Sequence, residues 1–225
     1  MAATSFAFFF KHVCNKPYKL PSILFAAHSN KLPAVMHVQE IHAVINSLAN
    51  QKHKTLITLL YSTGMRLSEI SNLKIEDIDS SLMRIKVVNG KGKKDRFVPL
   101  SKLVLVALRQ YYLLYKPVTY LFNGQGGVGR KYAPRSIQYV LKNTLAKIGL
   151  KHKNYSIHTI RHSFATHLMD NGADIHIIKE FMGHHNLAQT TAYLHLSSKR
   201  ISDAANPYDI MVAKLNNDAS INKNL

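Results

Sequence analysis

His158-Thr-Ile-Arg161-His162, followed by Met182-Gly-His184 and then by Ala192-Tyr193, is the stretch that decides the interpretation of this chain. Arg66 and Lys91 precede it. Arginine, lysine and histidine are the side chains that a protein gathers around a phosphate, because they donate charge-assisted hydrogen bonds to its oxygens. The tyrosine adds a nucleophile. The pattern therefore predicts the catalytic domain of an enzyme that transfers DNA strands.

The composition agrees with a nucleic-acid partner. The 225 residues carry a formal charge of +18, and the pI is near 10.0. A field of this size attracts polyanions, so we expect double-stranded DNA as the partner. On charge alone, a generally basic protein without a DNA substrate stays an open alternative. No run of 18 apolar residues exists, so a membrane partner is not expected.

Cysteine usage bears on the cellular compartment. Cys14 is the single cysteine, which excludes an intramolecular disulfide and a cysteine-based zinc site. A chain without disulfides suits a reducing cytoplasm. We therefore expect a cytoplasmic protein. With DNA as its partner, it is expected to be nucleoid-associated in a bacterium.

The periodicity of apolar residues predicts a mainly α fold with one small antiparallel β-sheet (α+β). Apolar residues at helical spacing begin at Val38 and end near Leu48. Two short strands, at 82–88 and 96–100, flank a glycine-containing basic turn and form a hairpin. Further helices are predicted at about 53–62, after Arg66, at 102–115 and 135–148, from 159 to Asn171, from Asp174 to Gly183, and around Tyr193.

Four segments of the chain resemble the tyrosine recombinase (phage integrase) family, in the family's order and at its usual spacings. The similarity runs from about Leu32 to Leu196. It implies the catalytic-domain fold of that family and an enzyme that works without a cofactor, metal or ATP. The segments are Thr63-Gly-Met-Arg66-Leu-Ser-Glu69, Gly90-Lys-Gly-Lys-Lys-Asp-Arg96, His158-Thr-Ile-Arg161-His162, and Met182-Gly-His184 with Tyr193 nine residues later.

The resemblance assigns a role to each residue of the site, and general chemistry supports most of them. Arg66 and Arg161 would stabilise charge on the non-bridging oxygens, for which a planar guanidinium is well suited. Tyr193 would be the nucleophile. Since an ordinary phenol has a pKa of about 10, it needs nearby cations and a proton acceptor. His158 would assist its deprotonation, and His184 would bind a non-bridging oxygen.

The basic hairpin would supply the remaining groups. Lys91 is the expected general acid for the leaving 5′ oxygen, and Lys93 and Lys94 are nearby rivals for that role. If Lys91 is the acid, Lys93, Lys94 and Arg96 are left as DNA contacts. Glu69, one turn after Arg66, resembles the family's acidic position and would orient the site.

Domain boundaries follow from the same resemblance. Residues 1–31 are expected to be the remnant of an N-terminal core-binding domain with its linker, 32–215 the catalytic domain, and 216–225 a polar tail. Recombination would require self-association on DNA, with a tetramer as the expected complex. The segment from Ser197 to Leu215 would dock on a neighbouring copy.

Two alternatives to this interpretation exist. His158, His162 and His167 together suggest zinc, but no thiol lies close to them in sequence and the i,i+4 pair lacks a glutamate between its members. His162 and His167 are therefore expected to be structural. The second alternative is a truncated, non-catalytic DNA-binding remnant of a recombinase.

Overall fold

The computed structural model describes residues 8–15, 33–88, 95–124, 129–194 and 196. The chain divides into two compact units, Met1–Leu32 and Pro33–Leu225. In the first unit the described residues contain one short helix, α1, at residues 8–12. The predicted polar tail at 216–225 and the docking segment from Ser197 lie outside the described residues.

The second unit is built mainly from helices. Its sheet comes between the third and the fourth of these helices in the sequence. Most helices begin and end within a few residues of the positions predicted from the apolar periodicity. The elements are α2 (Val38–Ser47), α3 (Gln51–Thr63), α4 (Leu67–Asn72), β1 (Ile78–Asp79), β2 (Arg84–Val87), β3 (Arg96–Pro99), α5 (Lys102–Tyr115), α6 (Pro134–Lys147), α7 (Ile157–Asp170), α8 (Ile175–Met182) and α9 (Ala188–Thr191).

The sheet has three antiparallel strands in the order β1-β2-β3. The predicted hairpin is confirmed, since Ile85 pairs with Val98 and Val87 pairs with Arg96. The turn between the two strands, residues 89–94, lies outside the described residues. Strand β1 was not predicted, because two residues are too few to show an alternating pattern. Arg96 and Val98 share one face of β3, and Val98 is buried.

Glycine and capping residues end the helices that frame the site. Helix α3 stops at Gly64 and α8 stops at Gly183, both in the left-handed conformation that favours glycine. The Asp174 side chain caps α8 by accepting from the backbone of His176, as predicted. Helix α9 ends at Thr191, so Tyr193 lies in the turn after the helix rather than on it.

Buried apolar residues form two clusters. The larger cluster is the core shared by α2 to α7 and the sheet. The smaller cluster lies between α7, α8 and the turn after α9, and it contains Phe164, Met182 and Tyr193. A Cβ placed on Gly64 would lie 2.3 Å from the Phe164 ring, so glycine allows the end of α3 to approach this cluster closely. Because Tyr193 packs within this cluster, its side chain is held in place.

The predicted fold class, mainly α with a small antiparallel sheet, is confirmed. Over the ranges that the structure describes, we find no helix with the length and apolar character needed to cross a bilayer.

Candidate active site

The structure brings together most of the predicted site residues that it describes. Arg66 stands at the N-terminus of α4, His184 follows the end of α8, and Tyr193 follows α9. His158 and Arg161 lie one turn apart in α7. The three lysines predicted at the hairpin, Lys91, Lys93 and Lys94, lie outside the described residues.

The C-terminal end of α8 is held by three arginines. Carbonyls in the last turn of a helix have no partner within the helix, and the negative end of the helix dipole favours cations there. Each of three consecutive carbonyls therefore accepts a hydrogen bond from a different guanidinium. The pairs are Phe181 with Arg96 Nε at 2.9 Å, Met182 with Arg161 Nη2, and Gly183 with Arg66 Nη2 at 3.0 Å.

Arg161 is a buried cation at the centre of this arrangement, with 5% of its surface exposed. Its Nη1 also donates to the carbonyl of Gly64, so one side chain joins the ends of α3 and α8. Burial and, to a smaller extent, the charge of Arg66 lower the pKa of Arg161 to about 10, while Glu69 opposes the change. The group is therefore still charged at neutral pH.

Glu69 is paired with two arginines. Its carboxylate accepts from the backbone N–H and Nη1 of Arg66, at 2.7 and 2.8 Å. It also accepts two parallel hydrogen bonds from Arg96, both 2.8 Å long. Burial by itself would raise the pKa of Glu69, but the hydrogen bonds and charge of Arg96, together with those of Arg66, lower it to about 2. Glu69 is thus ionised at neutral pH and orients Arg66.

The position of Arg96 differs from the DNA contact that the sequence predicted. Its side chain is 9% exposed, and its donors are directed at Glu69 and at the end of α8. A Cβ on Gly183 would lie 3.1 Å from the Arg96 guanidinium, so glycine there leaves room for the arginine. The residue pattern of β3 could have predicted the burial of Arg96, because Arg96 shares the face of buried Val98.

Tyr193 lies between two histidines and is 2% exposed. The ring of His184 stacks on it with a centroid distance of 6.1 Å and an interplanar angle of 14°. The Nδ1 atom of His184 is hydrogen-bonded to the hydroxyl of Thr190 at 2.9 Å, which fixes the orientation of the imidazole. Burial raises the pKa of Tyr193, and the charges of Arg161 and Arg66 oppose this.

His162 is the residue whose position the sequence did not predict. Its Nδ1 lies 2.9 Å from the hydroxyl oxygen of Tyr193. Burial, together with the neighbouring charges of Arg161 and His158, lowers the pKa of His162 to about 4. His158 itself is exposed at the N-terminal end of α7. Nothing in the local sequence distinguished His162 from an ordinary buried histidine.

The three histidines considered for zinc do not converge. His167 bonds through Nδ1 to the hydroxyl of Tyr61 at 2.8 Å, whereas His162 faces Tyr193. Within the described part of the chain, no group of three or more histidine, cysteine, aspartate or glutamate side chains is arranged to hold a metal ion.

Comparison with known proteins gives the family. The model of the phage integrase family matches residues 33–200 of this chain. The chain belongs to the phage integrase family. The match begins at the second unit and includes all six residues that the sequence predicted as catalytic.

Relatives and solved structures agree with this assignment. The tyrosine recombinase XerA of Pyrococcus horikoshii is 36% identical over 175 residues, covering 77% of this chain and 60% of the relative. XerD of Staphylococcus aureus is 35% identical over 204 residues, covering 84% of this chain and 68% of the relative. The structure of the XerH recombinase in a post-cleavage complex matches with a TM-score of 0.74 and 25% identity, covering 92% of this chain and 65% of that one.

These findings confirm the predicted family, its catalytic-domain fold and its class of enzyme, the tyrosine site-specific recombinases. The chain spans about two thirds of the length of the three relatives named. The alternative of a non-catalytic remnant is not favoured, because XerA and XerD are recombinases and XerH is bound to its substrate.

Replacement of Arg96 by lysine is expected to slow DNA cleavage while leaving DNA binding nearly unchanged. A single ammonium group cannot hold both oxygens of Glu69 and the Phe181 carbonyl, so Arg66 and His184 lose their fixed positions. Misplacement of about 1 Å in a catalytic group costs on the order of 10²-fold in rate. The measurement is the single-turnover cleavage rate together with the salt dependence of affinity.

The matched control is Arg84→Lys, which changes an arginine on the neighbouring strand that pairs with Asp79 at the surface. This variant should cleave like the wild type, because exposed ion pairs contribute about 0–1 kcal/mol. If Arg96 contacted a phosphate directly, Arg96→Ala, which removes the charge that Arg96→Lys keeps, would reduce the salt slope by about 0.9. A reduced slope with a normal cleavage rate would contradict the positioning role.

Proposed function

We propose that this chain breaks and rejoins double-stranded DNA at specific sites through a covalent link between Tyr193 and a 3′ phosphate. The single observation that carries the proposal is that the buried Tyr193 side chain lies near two cationic arginines. Both Arg161 and Arg66 interact electrostatically with its hydroxyl. Two guanidinium groups at this position would stabilise a phosphate held beside the tyrosine.

The reaction begins when the Tyr193 hydroxyl gives its proton to a neighbouring histidine and its oxygen attacks the scissile phosphorus. Charge then builds on the non-bridging oxygens, where Arg66, Arg161 and His184 donate hydrogen bonds. The bond from phosphorus to the 5′ oxygen breaks, and Lys91 protonates the departing oxygen. The 5′ hydroxyl of a second strand then attacks the phosphotyrosine and releases Tyr193. The energy of the phosphodiester is kept in the covalent link, so the cycle uses no ATP. It uses no metal ion, because side chains stabilise the charge and supply the proton.

The partners follow from the charge and from the chemistry of strand exchange. A net charge of +18 supports binding to duplex DNA, and phosphate contacts by Lys93 and Lys94 would contribute to it. Exchange between two sites needs four strand cuts, so we propose a tetramer on DNA. Residues 32–215 would form the catalytic domain in that complex. A DNA substrate also favours the predicted association with the nucleoid.

The proposal is tested by covalent capture. The protein is incubated with a pool of nicked duplexes of randomised sequence, because a nick lets the short 5′ strand diffuse away and traps the adduct. Denaturing electrophoresis separates protein bound covalently to DNA, and sequencing of that DNA gives the preferred site. We expect adducts that share a common sequence, with the DNA attached at Tyr193 in tryptic peptides.

Two controls sharpen the result. Cleavage of the selected duplex should be unchanged by EDTA, and inhibition that added Mg²⁺ or Zn²⁺ reverses would contradict a metal-free mechanism. Binding to DNA without any covalent product, under conditions in which the protein is folded, would instead support the alternative of a DNA-binding protein without catalysis.

Replacement of Lys91 by alanine is expected to slow cleavage of ordinary DNA by about 10²- to 10⁴-fold, the usual contribution of a general acid. The same variant should cleave DNA with a 5′-bridging sulfur almost as fast as the wild type, since a thiolate leaves without a proton. The measurement compares the single-turnover rates on the two substrates.

Lys93→Ala and Lys94→Ala serve as controls for charge, because each also removes one cation from the hairpin. They should weaken binding to both substrates to the same extent. An equal loss of rate on both substrates for Lys91→Ala would move the general acid elsewhere. Restoration by sulfur in Lys93→Ala or Lys94→Ala would identify that lysine as the acid.

A further inference from the structure

One contact in the site has no role in the predicted chemistry. His162 Nδ1 lies 2.9 Å from the hydroxyl oxygen of Tyr193, and the two ring centroids are 5.7 Å apart. The sequence assigned His162 a structural role and expected His158 to assist the deprotonation of Tyr193. In the structure His158 is exposed, whereas the half-buried His162 is hydrogen-bonded to Tyr193, a residue of the smaller cluster.

The surroundings of this pair determine its protonation. Burial, Arg161 and His158 lower the pKa of His162 to about 4, so the imidazole is neutral at neutral pH and has one nitrogen able to accept a proton. Burial raises the pKa of Tyr193, so the phenol keeps its proton. The charged and titratable groups that face the pair are Arg66, Arg161, His158 and His184.

Bound DNA changes the pKa of His162 in the direction that favours proton transfer from Tyr193. A phosphate bound between Arg66 and Arg161 carries a negative charge and cancels part of the positive field around His162. Its pKa therefore rises in the complex, since a nearby anion stabilises the imidazolium. The phenol becomes more acidic as its oxygen forms a bond to phosphorus, so the proton can move during the attack.

We propose that His162 is the proton acceptor for Tyr193 in the cleavage step. The inference rests on the proposed function of Tyr193 as the nucleophile. As the bond between the Tyr193 oxygen and phosphorus forms, the O–H bond breaks and the proton passes to His162 Nδ1. The bond from phosphorus to the 5′ oxygen breaks. The oxygen keeps the electron pair of that bond and takes a proton from Lys91. The rejoining step returns both protons.

Two substitutions separate proton transfer from simple positioning. In His162→Asn the side-chain oxygen can still accept a hydrogen bond from Tyr193, but it cannot take the proton. In His162→Phe the ring can fill the same space without a hydrogen bond. His167→Asn is the matched control, because His167 also lies on α7 and also bonds through Nδ1 to a tyrosine, Tyr61, at 2.8 Å.

The experiment uses the full chain and the duplex selected by covalent capture, called the captured duplex. It measures the single-turnover rate of adduct formation between pH 6 and 9. The wild type and His167→Asn should show a flat profile from about pH 7 upward, because the pKa of His162 starts at about 4 and leaves the imidazole neutral there even after bound phosphate raises it. Both His162 variants should be slower by about 10²- to 10⁴-fold at pH 7. Their log rates should rise by about one for each pH unit, because the attack then depends on the small ionised fraction of the phenol.

The outcomes distinguish the inference from the function on which it rests. A rate and a flat profile like those of the wild type in His162→Asn would show that His162 only positions Tyr193. If His158→Asn gains the pH slope while His162→Asn stays flat, the acceptor is His158. Either result overturns this inference and leaves the nucleophile in place. A wild-type chain that is folded but forms no adduct at Tyr193 overturns both.

The tautomer gives a readout that does not depend on activity. In a protein labelled with ¹⁵N-histidine, a difference spectrum against His162→Asn identifies the His162 signals. Nδ1 should show the chemical shift of an unprotonated nitrogen, and Nε2 that of a protonated one. The opposite pattern would mean that Nδ1 donates to the tyrosine, and would contradict its role as the acceptor.

Discussion

Tyr193→Phe should eliminate the covalent adduct with DNA entirely. The change removes the one oxygen that would attack phosphorus. The other side-chain oxygens described in the site belong to Glu69, which pairs with two arginines, and to Thr190, which bonds to His184. DNA affinity should change by less than about tenfold, since one hydrogen bond is worth ~0.5–1.5 kcal/mol. The measurement is denaturing electrophoresis of the captured duplex beside a binding isotherm.

The same substitution should leave the fold intact. Phenylalanine keeps the ring that packs in the smaller core, and the unpaired Nδ1 of His162 costs about 1–3 kcal/mol of unfolding free energy. Tyr61→Phe is the matched control, because it also separates a tyrosine hydroxyl from a histidine Nδ1. It should form the normal amount of adduct. An adduct that persists in Tyr193→Phe would disprove the assignment of the nucleophile.

Arg161→Lys should lower both the cleavage rate and the stability of the protein. A lysine keeps the charge, but its single ammonium group cannot reach the carbonyls of Gly64 and Met182 while also binding a phosphate. Loss of one preorganised donor costs about 10²- to 10³-fold in rate. A buried carbonyl left without a partner costs about 1–3 kcal/mol, or ~2–4 °C in Tm for each kcal/mol in a chain of this size.

The two readouts for Arg161→Lys are the single-turnover rate on the captured duplex and the Tm without DNA. Arg109→Lys, an exposed change on α5, is the control and should alter neither. A fall in Tm with a normal rate would show that Arg161 only supports the fold. A normal Tm with a slow rate would show that the carbonyl contacts add little to stability.

The fold could be predicted well from the sequence, because its signals are local. Apolar residues at intervals of three and four predicted α2, and glycines marked the ends of α3 and α8. Strands β2 and β3 were evident from alternation around a turn. The two-residue strand β1 was missed, since it exists only through its pairing with β2.

The sequence also supplied the set of residues for the candidate site, since the type of each residue shows its chemistry. Arg66, Arg161, His184 and Tyr193 were predicted as one site, and the structure places them together. The predictions for Lys91, Lys93 and Lys94 stay predictions, because these residues lie outside the described ranges.

The contacts of Arg96 and His162 emerged only from the tertiary structure. Arg96 is a cationic residue of the type that contacts DNA. Its guanidinium nevertheless donates to the Phe181 carbonyl, 85 positions away, and to Glu69. His162 resembles any buried histidine until its contact with Tyr193, 31 positions away, is known. The sequence by itself determined the elements, the family pattern and the candidate groups. Only the tertiary structure decided which cations are buried against a carboxylate and which histidine meets the tyrosine. Burial and pairing depend on contacts between residues far apart in the chain, and no local pattern encodes them.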